Sequence, residues 1–413
     1  MAEEKKTVEN GAQGRVLLIK REDKIWSLLY AGNRLLRADA CSADGEVLDN
    51  IYIGKVKNVK ANINAAFVEF TSGKLCFLPL KDCKTPILTN RRYDGRILAG
   101  DEIVVQIVSE GQKTKEAGAS ANLSFAGKYL VLTMGRLQIG YSARLTQDEK
   151  DRLKTLLQEN PVFSRIGTAY GVVFRTNCRE LSDFSALESE LCRLQEEADT
   201  LLRKAHFRTC FSLLRKAPPS YLKSLQDYDA ACYEKILTDE RFVWEEVKAW
   251  LAIYQPADLH KLVFYEDDLL SLRSLYSVEA RLQEALERKV WLKSGGYLVI
   301  DRTEALTCID VNSGKYMGKK SKEESFFQIN MEAAQEIGHQ LLLRNISGII
   351  IIDFINMKEK SRNHALMDAL RNILADDPMR ASVVDMTPLG LVEVTRKKEK
   401  KPLWEQLQQG TPG

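Results

Sequence analysis

The sequence is short of the residues from which the commonest hydrolytic sites are built. Its four histidines, at 206, 260, 339 and 364, form no motif, so neither a histidine-bound zinc hydrolase nor a two-histidine ribonuclease mechanism has a basis here. Eight cysteines are scattered at 41, 76, 83, 178, 192, 210, 232 and 308. No two are spaced to build a zinc knuckle, and free thiols in a reducing cytoplasm are expected instead. No stretch approaches the roughly 18 to 20 apolar residues that a membrane helix needs. The first ten residues, Met1 to Asn10, carry charge with no apolar run behind it, which reads as a disordered tail and not a signal peptide or anchor. Internal repeats and long low-complexity segments are also missing. The net charge of +3 excludes a highly basic tail-type nucleic-acid binder but leaves a locally basic groove open. Ser313-Gly314-Lys315 lacks the first glycine and the spacing of a phosphate loop, so a nucleotide-binding loop is excluded.

What is present is carboxylate chemistry on a chain of 413 residues, long enough for two to four domains. With 45% apolar and 28% charged residues it has the composition of a soluble globular protein. Two aspartates stand at the polar ends of apolar runs, Ala305 to Asn312 and Gly348 to Phe354. The first run reads as a strand, so Asp310 and Asn312 share a face. The second holds four consecutive isoleucines, the pattern of a strand buried on both faces, and ends in Asp353. Between them, from about Glu323 to Arg344, Phe326, Ile329, Ala333, Ile337 and Leu341 recur at helical spacing. A strand–helix–strand unit of this length favours parallel strands, with both carboxylates emerging at one edge of the sheet. Two carboxylates there suit magnesium, whose octahedron is completed by water and phosphate oxygens. Alternatively, each aspartate caps a turn or helix.

Upstream, the segment from Arg15 to Leu48 reads as hairpin strands. Residues from Asn50 to about Ser109 form short strands that suit a small barrel. Phe67 and Phe77 lie near lysines 55, 57, 60 and 74, as a single-stranded nucleic-acid platform requires. By pattern alone, barrel core is the simpler reading of both rings. The strand ending in Arg175-Thr176 offers a guanidinium fork and a hydroxyl to a phosphate. The stretches at about 182–213 and 239–254 are helical and charge-rich, most simply solvated connections. A further helix is expected over about Ser277 to Trp291. The basic cluster from Arg396 to Lys401 reads as a solvated end.

Three linked motifs, Thr303 to Gly314, Asn330-Met331-Glu332-Ala333-Ala334 and Ile351 to Met357, with the aspartates 43 residues apart, resemble the catalytic core of the ribonuclease E/ribonuclease G family. The resemblance extends from the early strands to about Arg396. It implies an α/β and α+β multidomain chain. An RNase H-like scaffold (15–48 and 218–285) is interrupted by an S1-like OB-fold RNA-binding domain (49–121) and a 5′-phosphate sensor domain (122–217). A DNase I-like catalytic domain (286–396) and a basic tail (397–413) follow, with a disordered tail at 1–14. By the same resemblance Asp310 and Asp353 hold Mg2+, Asn312 supports the site, and Phe67, Phe77 and Lys115 contact single-stranded RNA. Gly127, Val131, Arg175, Thr176 and Arg380 form a pocket for the substrate's 5′-monophosphate. The implied protein is a cytoplasmic endoribonuclease acting in messenger decay and in ribosomal or transfer RNA processing.

Two departures temper the match. The closely spaced cysteine pair that shares zinc across a dimer in the family is missing, so any homodimer is expected to form without a zinc link. Lys115 is followed by Glu116, where the family has glycine, and the next residues diverge. An acid there is expected to weaken the RNA contact. A protein of this fold that binds RNA with weak or no nuclease activity is the alternative, opposed by the retention of both aspartates and Asn312.

Overall fold

The structure, a computed structural model, describes residues 14–42, 47–109, 111, 116–181, 183–228, 232–314, 321–375, 377–398 and 400–408. They form a mixed α/β protein of two compact units. One runs up to Cys41 and includes Cys232–Glu245 and everything from Lys261; the other comprises Ser42–Ala231 and Glu246–His260.

The chain opens with a meander of Gly14–Arg21 (β1), Lys24–Ala31 (β2) and Arg34–Ser42 (β3). Gly32, at φ +57°, supplies the left-handed position that the tight turn between β2 and β3 demands. Ile51–Lys60 (β4), Ala65–Thr71 (β5), Lys74–Pro79 (β6), Glu102–Ser109 (β7) and Ala117–Ser120 (β8) follow. They pair in the order β4-β5-β6-β8-β7, and β7 returns to β4, closing a five-strand OB-like barrel in which only β6 and β8 are parallel. Its interior is apolar, with Val56, Ala66, Val68, Cys76, Leu78, Ile103 and Val105 almost fully buried.

Next come Ser124–Ala126 (β9), Leu130–Thr133 (β10), Ile139–Tyr141 (β11), helix Gln147–Glu159 (α1), Gly171–Phe174 (β12) and helix Ser185–Ala205 (α2). The four strands form a sheet of order β11-β12-β10-β9. The charge-rich stretch expected to be a solvated connection is instead the spine of this region's core. Leu187, Leu191, Leu194, Ala198 and Leu201 recur at three- and four-residue steps along α2 and are buried against Phe125, Leu130, Val172 and Phe174. Acidic and basic residues on its other faces masked that stripe in the sequence.

Leu213–Arg215 (β13) pairs with β4, and helix Ser220–Asp227 (α3) follows. Lys235–Thr238 (β14), helix Arg241–Tyr254 (α4) and Leu262–Phe264 (β15) then return the chain to its beginning, because β14 lies parallel to β1 in a sheet of order β15-β14-β1-β2-β3. That sheet therefore takes strands from both sides of the barrel in sequence.

After short helices Leu272–Leu275 (α5) and Val278–Glu284 (α6), the last sheet is built from Lys289–Trp291 (β16), Tyr297–Arg302 (β17), Leu306–Asn312 (β18), Gly348–Asp353 (β19), Ser382–Met386 (β20) and Leu391–Arg396 (β21). Helices Lys322–Leu343 (α7) and Lys360–Leu374 (α8) connect its strands, whose order is β16-β17-β18-β19-β21-β20. The helix expected up to Trp291 stops at Glu284. Gly295, at φ +89°, turns the chain back, and β17 offers Lys289–Trp291 a full antiparallel partner. The isoleucine run is also not buried on both faces. Ile350 and Ile352 are fully buried under the helices, while Ile349 is 51% exposed on the other side. Alternation holds from β16 to β19 and along β21, and is broken in β20 by a register shift between Val383 and Met386, so one face packs on α7 and α8 and the other is open. The expected basic tail is partly interior: Arg396 is buried and ion-paired to Asp377 at 2.9 Å, Lys400 reaches Asp39 at 3.2 Å, and Leu403, in helix Leu403–Gln408 (α9), is fully buried.

Candidate active site

The open face of the six-strand sheet carries the aspartates. β18 and β19 are parallel, and Asp310 is the register partner of Asp353. Adjacent strands lie about 4.8 Å apart and paired residues share a face, so the two carboxylates stand side by side. Both are exposed. Asn312, two residues on, lies on the same face, and its Nδ2 donates to Asp310 Oδ2 at 2.6 Å, fixing one carboxylate oxygen. Two like charges held together in solvent repel, and a divalent cation removes that cost.

The donor set is made of hard oxygens from Asp310 and Asp353, with the Asn312 amide beside them. Among the described residues no three His, Cys, Asp or Glu side chains cluster into a fuller cage. Magnesium asks for no more protein than this, since it binds through one or two carboxylates and keeps water or phosphate for its other positions. The residues therefore fit it.

Several residues to which the sequence assigns no role position the site. Asn330, fully buried in α7, donates Nδ2 to Ile355 O at 2.7 Å and accepts from Ile355 N at 3.0 Å, which pins the segment leaving Asp353. Its signal was a polar residue inside an apolar helical stripe. Glu323 accepts from Lys358 N at 2.6 Å just beyond, and Glu332 accepts from Ser294 N at 3.2 Å at the turn before β17. Four lysines follow Asp310 closely in sequence and are candidates to meet backbone phosphates or to form a solvated loop; of these Lys315, Lys319 and Lys320 lie outside the described residues, and Lys322 begins α7.

On the barrel, Phe67 and Phe77 are direct cross-strand partners on β5 and β6. Their rings meet edge to face, with centroids 5.9 Å apart. Ala66 and Val68 point inward and are fully buried, so Phe67 between them faces outward, partly exposed. The barrel-core alternative therefore fails. Lys55, Lys57, Lys60 and Lys74 are exposed. Lys57 pairs with Glu69 at 3.1 Å, whose carboxyl is held below its usual range by the Gly73 N–H and then by Lys57. Lys115 lies outside the described residues, while the divergent Ala117–Ser120 is β8, which closes the barrel.

Four residues of the expected phosphate pocket come together on the four-strand sheet. Val131 on β10 pairs with Val173 on β12, and Arg175 and Thr176 follow that strand. Arg175 donates Nη1 to Gly127 O at 2.6 Å and Nη2 to Asp227 Oδ1 at 2.7 Å. Thr176 Oγ1 and Ser142 Oγ are 2.9 Å apart. Beneath Gly127, the buried Glu190 carboxylate accepts from the amides of Lys128, Tyr129 and Leu130 at 2.7, 2.9 and 2.9 Å. Burial pushes its carboxyl above the usual range, although the three N–H groups pull the other way. A Cβ at Gly127 would fall 2.2 Å from that carboxylate, so any larger residue there would push Glu190 off its amides. Asp227 and Glu190 had no sequence signal, because charged residues on a helix ordinarily mark a solvated face. Arg380 belongs to the other unit, exposed at φ +56° in the turn before β20.

Among the described residues no helix is long and apolar enough to cross a membrane. Residues 124–399 match the Ribonuclease E/G family. The chain is 33% identical over 372 residues to Ribonuclease G of Salmonella typhimurium (strain SL1344), covering 86% of this chain and 73% of the relative. Against Ribonuclease G of Escherichia coli (strain K12) it is 32% identical over 369 residues, with 86% and 74% covered. Ribonuclease E of Haemophilus influenzae (strain ATCC 51907 / DSM 11121 / KW20 / Rd) is 29% identical over 394 residues, which span 93% of this chain and 42% of that protein. With the motifs, the paired aspartates and this coverage in agreement, the chain belongs to the ribonuclease E/G family.

Proposed function

We propose that this protein is a magnesium-dependent endoribonuclease that hydrolyses single-stranded RNA, leaves a 5′-phosphate on the downstream product and prefers substrates that carry a 5′-monophosphate. The observation that carries the reading is the register pairing of Asp310 with Asp353, with Asn312 bonded to Asp310 on the open sheet face. Asp310 and Asp353 hold the metal. Magnesium, when bound, supplies Lewis-acid stabilisation of the charge that develops on the phosphate. Asn312 keeps the Asp310 carboxylate oriented, and its exposed surroundings admit a flexible, unpaired strand.

Phe67 and Phe77 stack bases, with Lys115 and the neighbouring lysines meeting phosphates. Gly127, Val131, Arg175 and Thr176 receive the terminal phosphate, for which the Arg175 fork exchanges Asp227. The sheet β15-β14-β1-β2-β3 serves as an RNase H-like scaffold, the barrel as an S1-like OB-fold, the four-strand sheet as the sensor and the six-strand sheet as a DNase I-like catalytic domain. The setting is the cytoplasm, and the substrates are messengers and ribosomal or transfer RNA precursors.

The test is cleavage of a short AU-rich RNA bearing 5′-monophosphate or 5′-hydroxyl, with magnesium, by the wild type, Asp310→Asn and Arg175→Ala. The wild type cuts, Asp310→Asn does not, and Arg175→Ala loses the monophosphate preference while still cutting 5′-hydroxyl RNA. A wild type that binds without cutting would point to the RNA-binding alternative, and equal cutting by Asp310→Asn would reject the site.

A further inference from the structure

The edge of the six-strand sheet next to the aspartates carries an aromatic and cationic cluster. In β16, Val290 packs toward the core, so Lys289 and Trp291 stand on the opposite, open face. Register extends that face without a break. Trp291 pairs with Tyr297, and Tyr297 with Asn312; Lys289 pairs with Val299, and Val299 with Asp310. Two rows of side chains thus lead from the edge strand to the candidate site, and the Trp291 backbone is about 10 Å from that of Asn312, two strand spacings.

The rings of Trp291 and Tyr297 meet at 62° with centroids 5.3 Å apart. Lys289 Nζ lies 3.8 Å from the first centroid and 3.7 Å from the second, so cation–π attraction pins the ammonium between them. Trp291 is nevertheless 64% exposed. An edge lysine also discourages sheet-to-sheet pairing, which accounts for Lys289 but not for an indole held open on the same face. An exposed aromatic surface beside a fixed ammonium matches one repeating unit of an unpaired nucleic acid, a flat base followed by a phosphate. A base within a duplex offers no such face.

We propose that Trp291, Tyr297 and Lys289 form a nucleotide subsite: a base flanking the cleaved phosphodiester stacks on Trp291, and its phosphate meets Lys289. The assignment of the neighbouring bond as the one cleaved rests on the endoribonuclease reading above. Tyr297, between the indole and Asn312, sets the ring's tilt and the spacing from the carboxylates.

The test uses a single-stranded 5′-hydroxyl oligonucleotide with one mapped cleavage site, and a set in which each position in turn is abasic. Trp291→Ala should raise KM about ten-fold, the scale of one lost base stack, while Trp291→Phe keeps most of the wild-type value. One abasic position beside the cut should raise the wild-type KM by a similar factor and add nothing further in Trp291→Ala. Lys289→Ala should reduce the steepness with which binding weakens as salt rises. Equilibrium binding of the same oligonucleotides to Asp310→Asn and to Asp310→Asn/Trp291→Ala reads the subsite without cleavage, so failure of the nuclease reading leaves this result interpretable. A wild-type thermal midpoint for each variant confirms folding. A wild-type KM and affinity in Trp291→Ala, or full abasic penalties at every position in that variant, would overturn the subsite. So would a Trp291→Ala protein that loses self-association in sedimentation while handling RNA as the wild type does, which would make the face a contact between copies of the chain.

Discussion

The six-strand sheet and the four-strand sheet both hold acidic residues at their candidate sites, and they hold them in opposite ways. Asp310 and Asp353 are exposed, adjacent and of like charge. Folding gains nothing from that arrangement, whose repulsion a bound divalent cation would relieve. Glu190 is buried and accepts three backbone amides. Here folding gains a shaped loop, because the carboxylate fills the space under Gly127 and fixes the strand that carries Val131. The lesson is that a carboxylate's role follows from what satisfies it: a neighbouring acid in solvent marks chemistry, and a cluster of amide donors marks architecture.

The comparison can be broken most sharply at Asp310. Asp310→Asn should lower the cleavage rate on the order of 10³-fold, the several kcal/mol of charge stabilisation that a metal site supplies. Its thermal midpoint should equal or slightly exceed that of the wild type, because a like-charge pair has been relieved. A matching fall in stability would mean that the pair is architectural after all. Glu190→Ala should do the reverse. It leaves three buried N–H groups without an acceptor, at ~1 kcal/mol or more each, and hydrogen exchange of the Lys128, Tyr129 and Leu130 amides should accelerate about 100-fold or more. Unchanged exchange would remove Glu190 from its structural role.

Smaller effects sharpen the contrast. Asp227 shares Arg175 with any incoming phosphate, so Asp227→Asn should strengthen the preference for 5′-monophosphate over 5′-hydroxyl RNA by about three-fold, within the range of a partly exposed ion pair. A weakened preference would show that Asp227 orients Arg175 and does not compete for it. The smallest effect is a slope. The folded Glu190 carboxyl keeps its proton to higher pH than the usual 4.5. The folded state therefore binds more protons than the unfolded state above that pH, and this residue's contribution to stability falls as pH rises through the window. Glu190→Gln should flatten that fall in denaturant titrations between pH 4 and 7; a slope identical to the wild type would assign the pH dependence to other groups.

Much of the six-strand sheet is legible in the sequence. A β-branched run ending in Asp353, a period-2 strand placing Asp310 and Asn312 on one face, and a helical stripe between them dictated a parallel pair with its acids at one edge. What misled was burial. Four isoleucines in a row implied cover on both faces, yet the sheet is covered on one, since a strand's own sequence does not reveal what packs against it. The charge-rich α2 was misread for the matching reason: its apolar stripe is regular, but total composition hid it. The turn at Gly295 likewise decided that Lys289–Trp291 pairs as a strand, because a hairpin partner outweighs a weak helical preference.

The sequence alone determined the residue types, their periodicity and the spacing of the two aspartates, because alternation and helical repeat are properties of the local chain. Tertiary structure decided which faces stay open, which acids meet amides and which meet each other, and that Trp291 and Lys289 share a face with Asp310. Those outcomes depend on register between strands distant in sequence and on the packing of helices over one side of a sheet, and no local pattern encodes either.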